Sequence, residues 1–230
     1  MQHIKHEYYR LIIFLKNKNP CNPCPIRKIR EQPQTMTEFL SQDYWNNRYE
    51  AEETAWDLKS ISPPLKAYIN QLTDKSLRIL IPGCGSGYEA EYLVKQGFQD
   101  VTVIDFAPLA VEKMKSYMSD YQNIKIICAN FFTHVGNYDL ILEQTFFCSL
   151  DPLLRTKYVQ RMSELLNNDG KLVGLLFNVQ FPNTPPFGGN KEEYLTLFSN
   201  EFKINIIEPC YNSVKPRMGN ELFFNFSKKD

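Results

Sequence analysis

The sequence lacks a net charge, and it lacks a long apolar run near its start. Its 26 Lys and Arg residues balance 26 Asp and Glu residues, so the overall charge gives no indication of a nucleic-acid partner. Residues 11–15 form the longest apolar run near the N-terminus, and this run is too short for a signal-peptide core or a membrane span. We therefore expect a cytoplasmic protein with neither nucleic-acid nor membrane partners.

The sequence also has few of the side chains that bind metals. His134 is the only histidine after residue 35, and neither a histidine nor a second cysteine pair accompanies Cys21 and Cys24 at the spacing of a zinc site. We therefore predict no metal site. The other cysteines lie in or beside apolar runs, as free thiols of a reducing compartment do, and they are Cys84, Cys128, Cys148 and Cys210.

Residues 1–35 differ in composition from the rest of the chain. They contain seven Lys or Arg residues and two Glu residues, and residues 17–35 contain four prolines and few large apolar side chains. This composition predicts a basic, poorly ordered segment. We expect a single folded domain over residues 36–230, with residues 1–35 as an appendage or as upstream in-frame translation ahead of Met36.

The most informative stretch runs from Leu77 to Gly87. Residues 78–81 have the aliphatic character of a buried strand, and residues 88–96 have the pattern of a helix. The loop between them has glycine at alternate positions, namely Gly83, Gly85 and Gly87. Glycine allows positive φ and leaves room for a ligand beside backbone N–H groups, so a strand, a glycine loop and a helix N-terminus predict a cofactor cradle.

The glycine spacing favours one cofactor over another. A dinucleotide site has Gly-x-Gly-x-x-Gly, whereas Tyr88 stands at the third glycine position here. The pattern instead resembles motif I of methyltransferases that use S-adenosyl-L-methionine. Asp105 ends a strand predicted at residues 101–104, eighteen positions after Gly87, close to the spacing of a carboxylate that binds ribose hydroxyls. A nicotinamide-dependent reductase on a similar fold remains an alternative.

Residues 39–56 are rich in aromatic side chains. Trp45 and Tyr49 are four positions apart, so they share one face of a helix. Two interpretations remain open at this point. The helix packs on the sheet, or it forms an aromatic lid over a sulfonium cofactor, because aromatic faces attract cations.

The rest of the chain alternates between strand and helix patterns. Further strands are predicted at residues 124–128, 138–142, 171–177, 203–207 and 222–227. Further helices are predicted at residues 63–72, 110–118, 156–166 and 191–197, with a turn at 167–170. This order predicts an α/β fold with a doubly wound, mostly parallel seven-stranded sheet and an antiparallel last strand. The last two strands are expected to pair at one edge.

Several blocks of the sequence resemble the thiopurine S-methyltransferase family, and most of all its thiol and halide methyltransferase branch. These blocks are Trp45–Asp57, Pro82–Gly87, Asn130–Phe132, Glu143–Cys148, Pro185–Phe187 and Pro216–Arg217. The likeness runs from about Gln42 to Phe226. It implies the class I, Rossmann-like methyltransferase fold and methyl transfer from S-adenosyl-L-methionine to a small soft nucleophile: a thiol, a halide or a thiopurine-like aromatic thiol. A cofactor-binding protein without turnover is an alternative, and a monomer is favoured.

The resemblance also implies roles for individual residues. The implied cofactor contacts are Trp45, Trp56, Gly83, Gly85, Gly87, Asp105, Phe106, Asn130, Phe131 and Glu143. The implied positioning residues are Glu143, Phe146 and Phe147, and the candidate substrate contacts are Arg155, Phe187 and Arg217. Glu143 is expected just after the fourth strand. Asn130 replaces the family's usual Asp and can still accept a hydrogen bond from adenine. Arg155 and Arg217 are alternatively surface charges.

Overall fold

The structure, a computed structural model, describes residues 40–181 and 185–229. The predictions for residues 1–35 lie outside the described residues. They include the Cys21 and Cys24 pair and the domain boundary near Met36.

Helices and strands alternate along the described chain. The helices are α1 (Gln42–Glu50), α2 (Pro63–Ile69), α3 (Tyr88–Lys95), α4 (Pro108–Tyr117), α5 (Arg155–Leu165) and α6 (Lys191–Phe198). The strands are β1 (Arg78–Pro82), β2 (Asp100–Asp105), β3 (Ile124–Cys128), β4 (Tyr138–Gln144), β5 (Leu166–Phe177), β6 (Phe202–Pro209) and β7 (Glu221–Lys228). Within these described residues, every helix falls short of the length and apolar character that crossing a bilayer requires.

The seven strands form one sheet in the order β3-β2-β1-β4-β5-β7-β6. Strands β1 to β5 pair in parallel, and β7 lies antiparallel between β5 and β6. The predicted α/β fold is confirmed, including the antiparallel last strand and the strand pair at one edge.

Helices cover both faces of the sheet, which explains why the strands are apolar on both sides. On one face, Ile79 and Leu142 pack with side chains of α2, α3 and α4. On the other face, Leu80 and Ile141 pack with α5 and α6 through a cluster rich in aromatic rings. Adjacent residues of one strand therefore serve opposite halves of the core, as the alternation of side chains along a strand requires.

Two boundaries differ from the predicted ones in ways that matter for the site. Strand β4 continues to Gln144, so Glu143 lies within the strand, and its predicted place just after the strand was wrong. Strand β5 begins at Leu166 and includes the predicted turn at 167–170. There the pairing with β4 jumps from Leu166 to Lys171, and Asp169 has a positive φ of 63°. Residues 167–170 are therefore not paired with β4, although strand β5 continues through them.

Parallel strands place their carboxyl ends at one edge of the sheet. At this edge β1 leads into the glycine loop, β2 ends at Asp105 and β4 ends at Gln144. Strand β1 lies between the other two. The fold thereby gathers three separate segments at the edge where ligands of doubly wound sheets bind.

Gly174 of β5 gives a test of how closely these strands pack. It pairs with Glu143, and a Cβ added there would lie 2.3 Å from the Glu143 carbonyl oxygen. We expect Gly174→Ala to lower the free energy of unfolding by about 1–3 kcal/mol, because the two backbones would have to separate. Chemical denaturation measures this value. Lys171→Ala, an exposed change in the same strand, should stay within about 0.5 kcal/mol of the wild type; equal effects of the two changes would contradict the packing argument.

Candidate active site

The glycine loop has the conformation that its composition demands. Gly83, Gly85 and Gly87 have φ values of 57°, 51° and 69°, which side chains with a Cβ rarely adopt. The Cys84 N–H donates to the Ile104 carbonyl at 3.1 Å, so the loop is fixed to β2. A Cβ on Gly85 would lie 2.9 Å from the Tyr49 hydroxyl oxygen. The loop therefore requires glycine both for its backbone and for the close approach of α1.

Asp105 holds the glycine loop in place. Its Oδ2 accepts a hydrogen bond from the Gly85 N–H at 2.8 Å, and its Oδ1 accepts one from the Ala107 N–H at 2.9 Å. Burial raises the pKa of the Asp105 carboxyl, while these backbone N–H groups oppose the rise by stabilising the charged form. A carboxylate oxygen has more than one lone pair, so each can accept a further bond from a ribose hydroxyl. That role remains a prediction.

Aromatic rings form a wall beside the loop. Trp56 makes edge contacts with Trp45 and Tyr49, with ring centroids 5.6 Å and 5.7 Å apart. This group packs on Ala107 and Ala110 at the start of α4. Trp56 lines the cleft at the loop, and Trp45 lies against Trp56. Helix α1 therefore packs on the start of α4 and also carries part of the aromatic wall. The two interpretations of residues 39–56, a packed helix and an aromatic lid, do not exclude each other.

Hydrogen bonds attach this wall to the sheet edge. The Gln42 side chain donates to the Phe106 carbonyl at 2.8 Å, and the Leu109 N–H donates to the Asn46 side chain at 2.9 Å. The Ser86 hydroxyl donates to Asp57 at 2.7 Å. The segment that carries Trp56 is therefore held by the glycine loop itself.

Asn130 and Phe131 follow β3 on the other side of Asp105. The Asn130 amide oxygen accepts a hydrogen bond from the Phe132 N–H at 2.9 Å and caps a short 3-10 helix. The Asn130 side chain is exposed, whereas Phe131 is buried against Phe146 and Tyr158. Phe131 therefore supports the site from within the core, and the adenine contacts of Asn130 and Phe131 remain predictions.

Glu143 fixes the turn that follows β4. It is fully buried, and its Oε1 accepts hydrogen bonds from the N–H groups of Phe146 and Phe147 at 2.8 Å and 2.9 Å. The Tyr158 hydroxyl donates to its Oε2 at 2.5 Å. Burial raises the pKa of Glu143 to about 7. The turn places the Phe146 ring directly over Gly83, where an added Cβ would come within 2.3 Å of it.

The partners of Glu143 bear on its predicted roles. Both of its oxygens bind groups of the protein, so Glu143 positions Phe146 and Phe147. Whether these three residues position a reactant remains a prediction. A direct cofactor contact by Glu143 has no support in this geometry.

Arg155 and Phe187 both contact the turn that follows β4. The Arg155 guanidinium donates to the Gly188 carbonyl at 2.7 Å and pairs with Glu193. It also lies 4.8 Å from the centre of the Phe147 ring. The buried Phe187 donates its N–H to the Cys148 carbonyl at 2.6 Å. The buried Arg155 therefore links the start of α5 to the Gly188 loop and to α6, and its interpretation as a surface charge was wrong.

Arg217 makes a comparable bridge near Trp56. It donates to the Trp56 carbonyl at 2.8 Å and pairs with Glu221 at 3.4 Å. The two side chains of this ion pair are 10% and 3% exposed, so the surface-charge interpretation fails here too. Whether either arginine contacts a substrate remains a prediction.

Sequence reasoning missed several groups of the site. Tyr49 was noted only as part of an aromatic stretch, and Tyr158 is an ordinary apolar-face residue of a helix pattern. Glu89 of α3 is buried, accepts a hydrogen bond from the Ser62 N–H at 3.1 Å and has a pKa raised by burial. Gln144 also lines the cleft. Tyr49, Asp57 and Gln144 do lie in blocks that resemble the family, but the resemblance assigned no role to them.

The residues present fit S-adenosyl-L-methionine. The glycine loop offers a close backbone surface, Asp105 lies where ribose hydroxyls are bound in doubly wound folds, and the cleft between Trp56 and the loop contains a buried amide that has no hydrogen-bond partner among the described residues. Among those residues, no group of three or more His, Cys, Asp or Glu side chains could hold a metal ion.

The fold and this edge define a class I methyltransferase. A solved structure of a Burkholderia thailandensis 1,6-didemethyltoxoflavin-N1-methyltransferase, with bound S-adenosylhomocysteine, shares the fold with a TM-score of 0.68 at 18% identity. The likeness covers 82% of this chain and 87% of that one. The family described as thiopurine S-methyltransferase (TPMT) matches residues 40–225. The chain belongs to this family and is an S-adenosylmethionine-dependent methyltransferase.

Relatives in this family carry the names of thiol and thiocyanate enzymes. The chain is 30% identical to probable thiol methyltransferase 2 of Arabidopsis thaliana, over 80% of this chain and 84% of the relative. It is 26% identical to thiocyanate methyltransferase 1 of Brassica oleracea, over 85% of this chain and 91% of the relative. Family membership removes the nicotinamide alternative and the alternative of a protein without turnover.

Glu143 generates a prediction about pH. Its pKa is raised from an ordinary 4.5 to about 7 in the folded chain, so the folded state binds this proton more tightly than the unfolded state. The wild type should therefore lose free energy of unfolding as the pH rises from about 4.5 to about 7, and no more above that range. Glu143→Gln lacks this titration, so its stability relative to the wild type should rise by about 3 kcal/mol across the same range.

Urea denaturation at a series of pH values measures the difference. Gln at this position can still accept from the two N–H groups and donate to the Tyr158 hydroxyl, so the turn can be retained. Glu112→Gln, an exposed change on α4, is the matched control for loss of a carboxylate. Parallel profiles for wild type and Glu143→Gln would contradict the assigned burial of this carboxyl.

Proposed function

We propose that the enzyme methylates a small soft nucleophile, namely a thiol, a halide-type anion or a thiopurine-like aromatic thiol. The observation that carries this proposal is the turn after β4. Glu143 holds it through Oε1 and is held in turn by Tyr158 through Oε2, so the turn presents aromatic rings next to the glycine loop while this buried carboxyl group serves the protein's own donors. The names of the thiol and thiocyanate methyltransferase relatives support the same acceptor class.

A soft nucleophile suits a site that is lined by aromatic rings. When bound, S-adenosyl-L-methionine supplies an electrophilic methyl group for an in-line displacement. A thiolate or halide already carries its reactive electron pair, so it needs alignment and a dry pocket more than proton removal. Phe146, Phe147 and Phe187 would provide apolar surface for the acceptor. The hydrogen bonds of Arg155 and Arg217 would keep the Gly188 loop and the aromatic wall in place, and a direct substrate contact by either arginine is part of the proposal.

The cofactor would be held at the carboxyl ends of β1 and β2. The proposed contacts are Trp45, Trp56, Gly83, Gly85, Gly87, Asp105, Phe106 and Asn130. In this arrangement the backbone of the glycine loop binds the cofactor, Asp105 orients its ribose, and the two tryptophans exclude water from the site. Phe131 would lie beside the adenine, and Glu143 would act behind these contacts by positioning Phe146 and Phe147.

We further propose that the enzyme is a cytoplasmic monomer formed by one domain from about residue 36, acting on small molecules and without nucleic-acid or membrane partners. The balanced net charge and the reduced state expected of the cysteines support this setting.

Cofactor binding can be tested with S-adenosylhomocysteine. We expect the melting temperature to rise with ligand concentration, because a ligand that binds only the folded state stabilises it. In Asp105→Asn, which keeps the shape but loses the charge, the affinity measured by calorimetry should fall by about tenfold to a hundredfold. Asp100→Asn at the exposed start of the same strand is the matched control. No thermal shift of the wild type at millimolar ligand would count against the proposed site.

The acceptor class can be tested with a matched pair of acceptors. Thiophenol and phenol share a ring and differ in the nucleophilic atom. With methyl-labelled cofactor at neutral pH, we expect labelled product from thiophenol and none from phenol, because phenol needs a base to become nucleophilic. Hydrosulfide, iodide and a thiopurine complete the panel and rank the soft nucleophiles. Equal methylation of phenol, or no product from any soft nucleophile, would contradict the proposal.

A further inference from the structure

The aromatic contacts of the site converge on Tyr158, a residue of α5 that is completely buried. Its ring centroid lies 5.1 Å from that of Phe147 and 6.0 Å from that of Phe146, and both of these rings belong to the turn after β4. It also lies 6.0 Å from the ring centroid of Phe131, which follows β3. Phe131 is predicted beside the adenine, whereas the turn is proposed to face the acceptor. One buried ring thus contacts both sides of the proposed site.

The hydroxyl of Tyr158 influences the charge of Glu143. It donates to Glu143 Oε2 at 2.5 Å. Burial raises the pKa of the Tyr158 hydroxyl well above its usual range, so this group remains a donor at neutral and moderately alkaline pH. Burial also raises the pKa of Glu143 to about 7, and the bond from Tyr158 opposes that rise because it stabilises the carboxylate. Loss of the hydroxyl would therefore move the ionisation of Glu143 to higher pH.

The charge of Glu143 matters for the turn that it holds. Its Oε1 accepts from the N–H groups of Phe146 and Phe147, and a hydrogen bond to an ionised acceptor is about twice as strong as one to a neutral acceptor. Thr145, within the same turn, has a positive φ of 60°, a strained conformation that persists only where its surroundings impose it. Protonation of Glu143 weakens two of the bonds that impose it. The Phe146 ring, which lies over Gly83, is then held less firmly.

The other titratable groups near this carboxyl group do not replace the tyrosine hydroxyl. The Cys148 thiol follows the turn, and it stays neutral because burial and the charge of Glu143 raise its pKa. Arg217 and Glu221 act on this thiol, and they are paired with each other at 3.4 Å. The pKa of Glu143 is set by burial, by the tyrosine hydroxyl and by two backbone N–H groups.

We infer that Tyr158 is a positioning residue for methyl transfer. Its bond to Glu143 increases the ionised fraction of the carboxyl group near neutral pH, and the ionised group holds the turn in the form that aligns the acceptor with the methyl group. When Glu143 is protonated, the alignment is lost and methyl transfer slows. Tyr158 itself contacts neither reactant. The inference rests on the proposed function, since it takes the turn to face the acceptor.

The test measures methylation of iodide, whose charge does not change with pH, by the wild type and by Tyr158→Phe. Loss of a hydrogen bond to the charged form should raise the proton affinity of Glu143 about tenfold. The ratio of kcat/KM for the variant to that for the wild type should therefore rise from about 0.1 at about pH 6 to about 1 at about pH 9. In the wild type itself, kcat/KM for iodide should fall as the pH falls through about 7.

Two variants serve as controls. Tyr194→Phe removes a hydroxyl from a ring that also contacts Phe147, with centroids 5.7 Å apart, but this hydroxyl donates to the Phe177 carbonyl. Its kcat/KM relative to the wild type should be the same at every pH. Glu143→Gln has no charge to lose, so its kcat/KM for iodide should not change over the same range.

Several outcomes would overturn the inference. A Tyr158→Phe activity that is reduced by the same factor at every pH would assign this residue a structural role only. A wild-type kcat/KM for iodide that is constant from about pH 6 to about pH 9 would contradict the inference equally. If Tyr158→Phe does not fold, Tyr158→Met is measured in its place, with the same rise of the ratio expected.

The choice of acceptor keeps the inference separate from the proposed function. If iodide gives no product, the best acceptor among the other soft nucleophiles replaces it, because the ratio of variant to wild type cancels the acceptor's own titration. No product from any soft nucleophile would overturn the proposed function, and the inference would fall with it. A ratio that is independent of pH would overturn the inference alone.

Discussion

The pair of hydrogen bonds made by Asp105 is the contact on which the rest of the site depends. One oxygen holds the Gly85 N–H and the other holds the Ala107 N–H. Through these bonds one carboxylate sets the glycine loop after β1 and the start of α4 relative to the end of β2. The aromatic wall packs on the same start of α4, so its position follows from that of Asp105. A local interaction thus determines the arrangement of three segments.

Other buried ionisable side chains organise further segments of the site in a similar way. Glu143 shapes the turn after β4, while Arg155 and Arg217 hold loops that the sheet itself does not pair. Each of these side chains binds backbone groups, which gives loops the defined partners that strands obtain from their neighbours. The rigidity needed to align two reactants can therefore come from side chains set behind the surface that a ligand would touch.

The sequence predicted the sheet and the glycine loop because their signals are local: apolar runs for strands, and glycine where φ must be positive. Asp105 could be predicted equally well, because it follows an apolar run at a recognisable spacing from the glycine loop. The arginines were ambiguous because burial depends on which distant loops come together. Gln144 lies in the Glu143–Cys148 block, but its unpaired amide could not be predicted, because such a group is recognisable only once every neighbour has been placed. The course of residues 167–170 depended likewise on pairing with β4.

The bond from Arg217 to the Trp56 carbonyl spans 161 positions of the chain. Arg217 is paired in turn with Glu221, the first residue of β7, and β7 lies between β5 and β6 in the sheet. The ribosome therefore translates the segment that carries Trp56 well before Arg217. Strands β1 to β5 also precede Arg217 in the chain, so they can pair before this bond can form. The bond that anchors the aromatic wall is thus available only after most of the sheet has been synthesised.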